Sequence, residues 1–209
     1  MKQQTSRYLA LCVALVIVST ASLGQLTVDA TGPIRDRQRN PDSSGGGGVG
    51  KKLPLVVTVE AGGGGSTDAN GRRRIDFILT NAGKTGLILP ISPHPGDLEP
   101  PDPNADYAVE CLSLYMVSSK GPNLLTGGAN LYGSSKVPGT LTTLAPGDSV
   151  HILARVALPS QSPGQPTAVL LHAGANLSDE TFNVVNGKKV FESHVIGSAY
   201  SNEFALGSF

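Results

Sequence analysis

From Asp148 the sequence reads DSVHILARVAL, in which Val150, Ile152, Ala154, Val156 and Leu158 alternate with His151, Leu153, Arg155 and Ala157. Successive side chains of a β-strand point to opposite faces, so this period of two predicts a strand with one face on a core. The pattern recurs along the chain beyond Leu53. RIDFILTN places Ile75, Phe77 and Leu79 on one face and Asp76, Ile78 and Thr80 on the other. LPLVVTVE, GLILPI, YAVECLSLYMV, GTLTTL, TAVLLHAGA, TFNVV, KKVFESHVIG and YSNEFAL are further β-rich runs, separated by Gly, Pro, Asn and Asp. Runs of this length and spacing predict an all-β sandwich or barrel. LSDETFNVV offers a helical alternative with Ser178 as N-cap, but its β-branched and aromatic content predicts a strand.

Two turns constrain how these strands connect. In TFNVVNGKKVFE, Asn186-Gly187 supplies the positive φ angles of a two-residue hairpin, which sets Phe182 opposite Phe191 and Val184 opposite Lys189. In LAPGDSV, Pro146 and Gly147 occupy the central positions of a type II turn, whose twist suits a hairpin poorly. The strands flanking Ala145 to Asp148 are therefore expected in different sheets, as in Greek-key sandwiches.

FILTNAGKTGLILPI and TLAPGDSVHILARVALP carry a family resemblance. The Asn-x-Gly turn after one strand and the Leu-x-Pro-Gly-Asp lead into a later one are similar to bacterial extracytoplasmic immunoglobulin-like domains. The resemblance covers Leu53 to Leu206 and implies an immunoglobulin-like Greek-key β-sandwich over residues 53–209. That span holds one cysteine, Cys111, and no tryptophan, so an antibody-type core is excluded. The resemblance implies a fold and assigns no functional residue.

Upstream of these runs the chain changes character. Lys2 and Arg7 precede an apolar centre from Tyr8 to Val18 and a small, weakly polar stretch from Ser19 to Gly24, the layout of a signal peptide over residues 1–24. Cleavage is expected near Ala21 or Gly24, giving a secreted or periplasmic protein. As a helix the apolar centre spans only about 17 Å against a hydrocarbon core of roughly 30 Å, so a membrane role arises only if it stays uncleaved. Residues 25–52 show no apolar periodicity and contain GGGGVGKK, which predicts a flexible linker.

Composition narrows the function classes. Lys and Arg total 16 and Asp and Glu total 16; loss of Lys2 and Arg7 leaves a net charge of minus two, which is unlike a nucleic-acid binder. Cys111 is then the remaining cysteine and is expected to be a buried thiol. Gly45, Gly50 and Lys51 match phosphate-loop spacing, but Lys52 stands where a magnesium-binding hydroxyl belongs and no strand precedes. His94, His151, His172 and His194 share no close metal-ligand spacing, and no Gly-x-Ser-x-Gly elbow occurs. Phe209 is not preceded by the alternating apolar series of an outer-membrane barrel. With four tyrosines after the signal segment, five phenylalanines and no tryptophan, the aromatics are expected mainly in the core rather than on a sugar-binding platform.

One connection stands out. ILPISPHPGDLEPPDPNADY, from Ile88 to Tyr107, holds six prolines and four acidic residues, so it is long but conformationally limited. Within it His94, Asp97 and Glu99 are candidate partner-binding residues. Asp102, Asn104 and Asp106 stand at alternate positions, as at the start of a calcium loop. Tyr107 and Ser113 then replace the glycine and glutamate that would complete one, leaving calcium as the single cofactor to consider. The expected function is a structural or protein-binding β-sandwich module without catalysis, whose partner is a protein or envelope component. An inhibitor-like or chaperone-like binder and a calcium-stabilised adhesion module are the alternatives.

Overall fold

Strand β9 (Ser149–Ala157) lies antiparallel to β4 (Arg72–Asn81), with Val150, Ile152 and Ala154 opposite Leu79, Phe77 and Ile75. All six side chains are fully buried, so the alternation in the sequence is the alternation between core and surface. The structure, a computed structural model, describes residues 26–31, 51–62, 67–92, 107–118, 127–157 and 170–205. Within them the other strands are β1 (Leu26–Asp29), β2 (Lys51–Lys52), β3 (Leu55–Ala61), β5 (Leu87–Leu89), β6 (Val109–Ser118), β7 (Gly127–Gly133), β8 (Thr142–Leu144), β10 (Leu170–Val185), β11 (Lys188–Tyr200) and β12 (Phe204–Ala205). No helix occurs among the described residues, and the fold class is all-β.

Ten strands form one curled sheet in the order β2-β11-β10-β6-β7-β9-β4-β3, with β1 added to β9 and β12 to β10. The sheet is mixed, because β1 joins β9 and β2 joins β11 in parallel while the other pairs are antiparallel. Its curl brings the inner faces of both halves into one core. Ile75, Phe77 and Ile152 from one half share it with Leu112, Met116 and Leu171 from the other. Each such side chain contributes roughly 1.5–3 kcal/mol on burial, which supplies the stability that no disulfide provides. Phe77 is the one aromatic among the fully buried core residues described. The expectation that the aromatics fill the core is thereby corrected: aliphatic side chains from both halves already occupy it.

The curl turns on β7. Gly127 and Gly128 pair with Val156 and Arg155 of β9, whereas Ala129 to Gly133 pair with Leu114 to Glu110 of β6. Gly128 has φ +124, and a Cβ there would lie 2.0 Å from the Leu114 carbonyl oxygen. Only glycine permits that backbone and that approach. β7 was not among the runs read as strands, because three glycines in GGANLYG obscure the inward pair Ala129 and Leu131.

Other expectations are met or corrected in detail. Asn186 and Gly187 have φ 51 and 74, and the hairpin sets Phe182 opposite Phe191 and Val184 opposite Lys189, as the Asn-Gly dipeptide implies. TAVLLHAGA and TFNVV are not separate strands. Leu170 to Ala175 of the first and all of the second belong to the 16-residue β10, which pairs with β6 from Leu171 to Glu180 and with β11 from Gly174 to Val185, so neither ladder is interrupted in β10 itself. The irregularity falls on β11, where Ile196 is the extra residue between Val195 and Gly197. Part of the segment read as a linker is strand: β1 pairs with β9 and buries Val28, and β2 pairs with Gly197 and Ser198. A four-residue strand that buries one valine leaves almost no periodicity to read. The signal segment and residues 32–50 lie outside the described residues.

The two turn motifs meet. Asn81 is buried at the end of β4; its Nδ2 donates to the carbonyls of Leu144 (2.8 Å) and Thr85 (2.9 Å), and its Oδ1 accepts from the Gly83 amide (2.8 Å). Its backbone carbonyl accepts from Gly147 N at 2.8 Å and its amide donates to Asp148 O at 3.0 Å. Gly147 has φ 84 and Asp148 N closes the turn on Ala145 O at 3.0 Å, matching the type II expectation. β8 pairs with β5 in a small sheet of its own while β9 joins the large one, so the strands flanking this turn do lie in different sheets.

Candidate functional site

β10 and β11 outrun their neighbours. β6 accompanies β10 only as far as Glu180, opposite Val109, and β2 meets β11 only at Gly197 and Ser198. Among the described residues, Thr181 to Val185 and Lys188 to Glu192 therefore form a two-stranded arm with no third strand beside it. Five residues of extended chain carry its tip roughly 17 Å past the end of β6.

The arm holds its shape by cross-strand contacts. The rings of Phe182 and Phe191 meet edge to face with centroids 5.5 Å apart, and Asn183 Nδ2 donates to Glu192 Oε2 at 2.5 Å on the opposite side. Yet its tip is apolar. Val184 is 68% exposed, Val185 46% and Val190 41%. Val184 shares the face of Phe182, and Val185 and Val190 share the other, so both sides of the arm offer aliphatic surface, flanked by Lys188 and Lys189. Exposed aliphatics clustered on a projecting element mark a contact surface more strongly than the same residues scattered singly.

The outward face of β1, β4 and β9 is different in kind, because its acidic and basic side chains pair with one another. Asp29 Oδ1 accepts from the amide (2.9 Å) and hydroxyl (2.6 Å) of Thr31, and Asp29 Oδ2 from Arg74 Nη2 (3.3 Å). The Thr31 hydrogen bonds, joined by the arginine charges, hold the Asp29 carboxyl below its ordinary value against the effect of desolvation. Asp68 Oδ1 accepts from the amides of Arg72 and Asn70, both at 2.9 Å, while Asp68 Oδ2 accepts from Arg155 Nη1 at 3.0 Å. The Arg72 amide is the largest cause of its lowered pKa.

Of the histidines, three fall in the described residues, each beside a different carboxylate. His151 Nδ1 lies 2.7 Å from Asp76 Oδ2, His172 Nε2 3.4 Å from Glu203 and His194 Nε2 3.5 Å from Glu192. Ser149 shares the face of His151, but its hydroxyl pairs with Thr80 Oγ1 at 2.7 Å. Cys111 is buried, with Sγ 3.5 Å from Ser113 Oγ. No group of three or more His, Cys, Asp or Glu among the described residues is placed to hold a metal ion.

His94, Asp97, Glu99, Asp102, Asn104 and Asp106 all lie outside the described residues, so the structure brings none of them to a site. The connection that carries them begins by packing down: Leu89 and Ile91 are in the core, and the Ile91 carbonyl accepts from Thr142 Oγ1 at 2.6 Å. The arm was missed as a site, although the Asn-Gly hairpin and its residue pairs were read. What β10 and β11 extend beyond depends on where β6 ends, which no local pattern reveals. No protein-family model matches the chain, and no curated protein or solved structure matches it either.

Proposed function

We propose that this protein is a secreted or periplasmic binding module, an immunoglobulin-like Greek-key sandwich without catalytic chemistry, that engages a protein partner through the β10–β11 arm. The observation that carries this reading is the exposed aliphatic tip, Val184, Val185 and Val190, on a hairpin that has left the rest of the sheet. Burying those side chains against a partner contributes roughly 1 kcal/mol or more each. This favours the inhibitor-like or chaperone-like form of binding, in which a protruding element is presented, over a purely structural role. The calcium-stabilised reading rests on Asp102, Asn104 and Asp106 and gains no support from the described residues.

The test is capture from an envelope extract by the full chain and by a V184S/V185S/V190S variant. The reading requires a stoichiometric protein partner that the parent retains and the variant loses, with both melting at the same temperature. Equal recovery by both would remove the arm from the contact.

A further inference from the structure

The outward face of the other half of the sheet carries a second pattern. Asn130, Ser113, Asn176 and Ser198 stand opposite one another in a row across β7, β6, β10 and β11. Two residues along the strands, Tyr115, Gly174 and Tyr200 form the next row on the same face. Neighbouring strands lie about 4.8 Å apart and rows about 7 Å apart, so the first row spans roughly 14 Å. The first row continues onto β2 at Lys52, opposite Ser198 at the edge of the sheet; apart from Lys52 no side chain in either row is charged, and none is aliphatic.

The tyrosines are held in place. A Cβ on Gly174 would come within 2.5 Å of Tyr115 Cζ, so the missing side chain is what lets the Tyr115 ring lie across β10. The Tyr115 hydroxyl lies 3.0 Å from Asn176 Oδ1 and 3.2 Å from the Tyr200 hydroxyl, and its one proton serves one of them at a time. Tyr200 stands edge to face with Tyr115 at 6.5 Å and is 58% exposed. The Asn176 amide nitrogen donates to no side chain among the described residues, so its donors face solvent.

We propose that this face binds a neutral polysaccharide lying across the strands. A cationic ligand needs negative charge, which neither row holds, and a polyanion needs positive charge repeated along its length, of which the row has Lys52 alone at one end. A protein interface needs an apolar centre, and neither row provides that. A polymer of neutral sugar rings uses what is present: amides and hydroxyls repeated along one row for its hydroxyl groups, and the Tyr200 ring for an apolar sugar face. This site is separate from the hairpin arm and does not rest on the arm's role.

Native gel electrophoresis of the full chain in gels containing dextran, soluble starch, laminarin or xylan, with alginate as the anionic control, tests it. Retardation is expected in at least one neutral gel and not in alginate. Tyr200→Ala and Asn176→Ala each weaken it by about tenfold, while Tyr200→Phe keeps the ring and the binding. The V184S/V185S/V190S variant should be retarded like the parent, which separates this site from the arm. Tyr200 is exposed, so an unchanged melting temperature in Tyr200→Ala guards against a folding artefact. No retardation in any neutral gel, retardation in alginate alone, or retardation indifferent to Tyr200→Ala overturns the proposal. So does a Tyr200→Ala variant that loses a captured protein while keeping its polysaccharide retardation.

Discussion

The Asn81 side chain donates to the Leu144 carbonyl at 2.8 Å, bridging the turn after β4 to the end of β8. The Asn-x-Gly and Leu-x-Pro-Gly-Asp motifs, more than sixty positions apart in the chain, are thus two halves of one hydrogen-bonded junction. Asn81→Ala removes three side-chain hydrogen bonds and strands buried backbone partners, so a loss of about 3 kcal/mol is expected in urea unfolding. A loss below about 1 kcal/mol would mean that the backbone bonds to Gly147 and Asp148 hold the junction alone.

Gly128→Ala tests the curl. Its Cβ meets the Leu114 carbonyl oxygen at 2.0 Å from a left-handed backbone, and both partners are main chain, so the strain cannot relax through a side chain. Destabilisation above about 4 kcal/mol, or failure to accumulate folded protein, is the expected outcome. Gly147→Ala, where an added Cβ has nothing within 4 Å, isolates the cost of positive φ alone and should be much milder.

Acid stability follows from Asp29 and Asp68. Both carboxyls titrate below their ordinary value of 3.8, Asp29 chiefly through the Thr31 hydroxyl and Asp68 chiefly through the Arg72 amide. Their folded pKa values lie below the unfolded ones, so their contribution is complete well above pH 3.8 and is lost as pH falls through the folded values. Asp29→Asn should flatten the fall in unfolding free energy between about pH 5 and pH 2. An unchanged slope would show that Asp29 has no part in acid unfolding.

Glu110 has the opposite sign. It stands opposite Asp179 in the β6–β10 ladder, and burial first, then the Asp179 charge, pushes its carboxyl above the ordinary 4.5. A raised folded pKa means that ionisation destabilises the fold, and that penalty disappears as pH falls through the folded value. Glu110→Gln should therefore stabilise the protein by about 0.5 kcal/mol at pH 7, moderated by solvent screening, and confer no gain below about pH 4. A Glu110→Gln variant less stable than the parent at pH 7 contradicts this assignment.

What was legible in the sequence is what period and turn chemistry encode locally. Ile75, Phe77 and Leu79 against Val150, Ile152 and Ala154 could be read as inward from alternation, and Asn186-Gly187 determined a hairpin register to the residue. Illegible were features set by tertiary pairing. Val28 is core only because β1 lies beside β9, and the glycines of β7 hide a strand whose backbone contacts require them. The same limit applied to function. Tyr115, Asn176 and Tyr200 alternate with core residues in three separate runs, but their meeting on one face depends on a register that joins β6, β10 and β11. Val184 reads as one more strand residue until β6 is seen to stop short of it.

The claim that the arm is the contact surface is tested most directly by photo-crosslinking in envelope extract, with a crosslinking side chain placed at Val184 or, on the outward face of β3, at Thr58. One protein of defined mass should be trapped from position 184 and not from position 58. Crosslinking absent from position 184, or the same protein trapped equally from both positions, would contradict it.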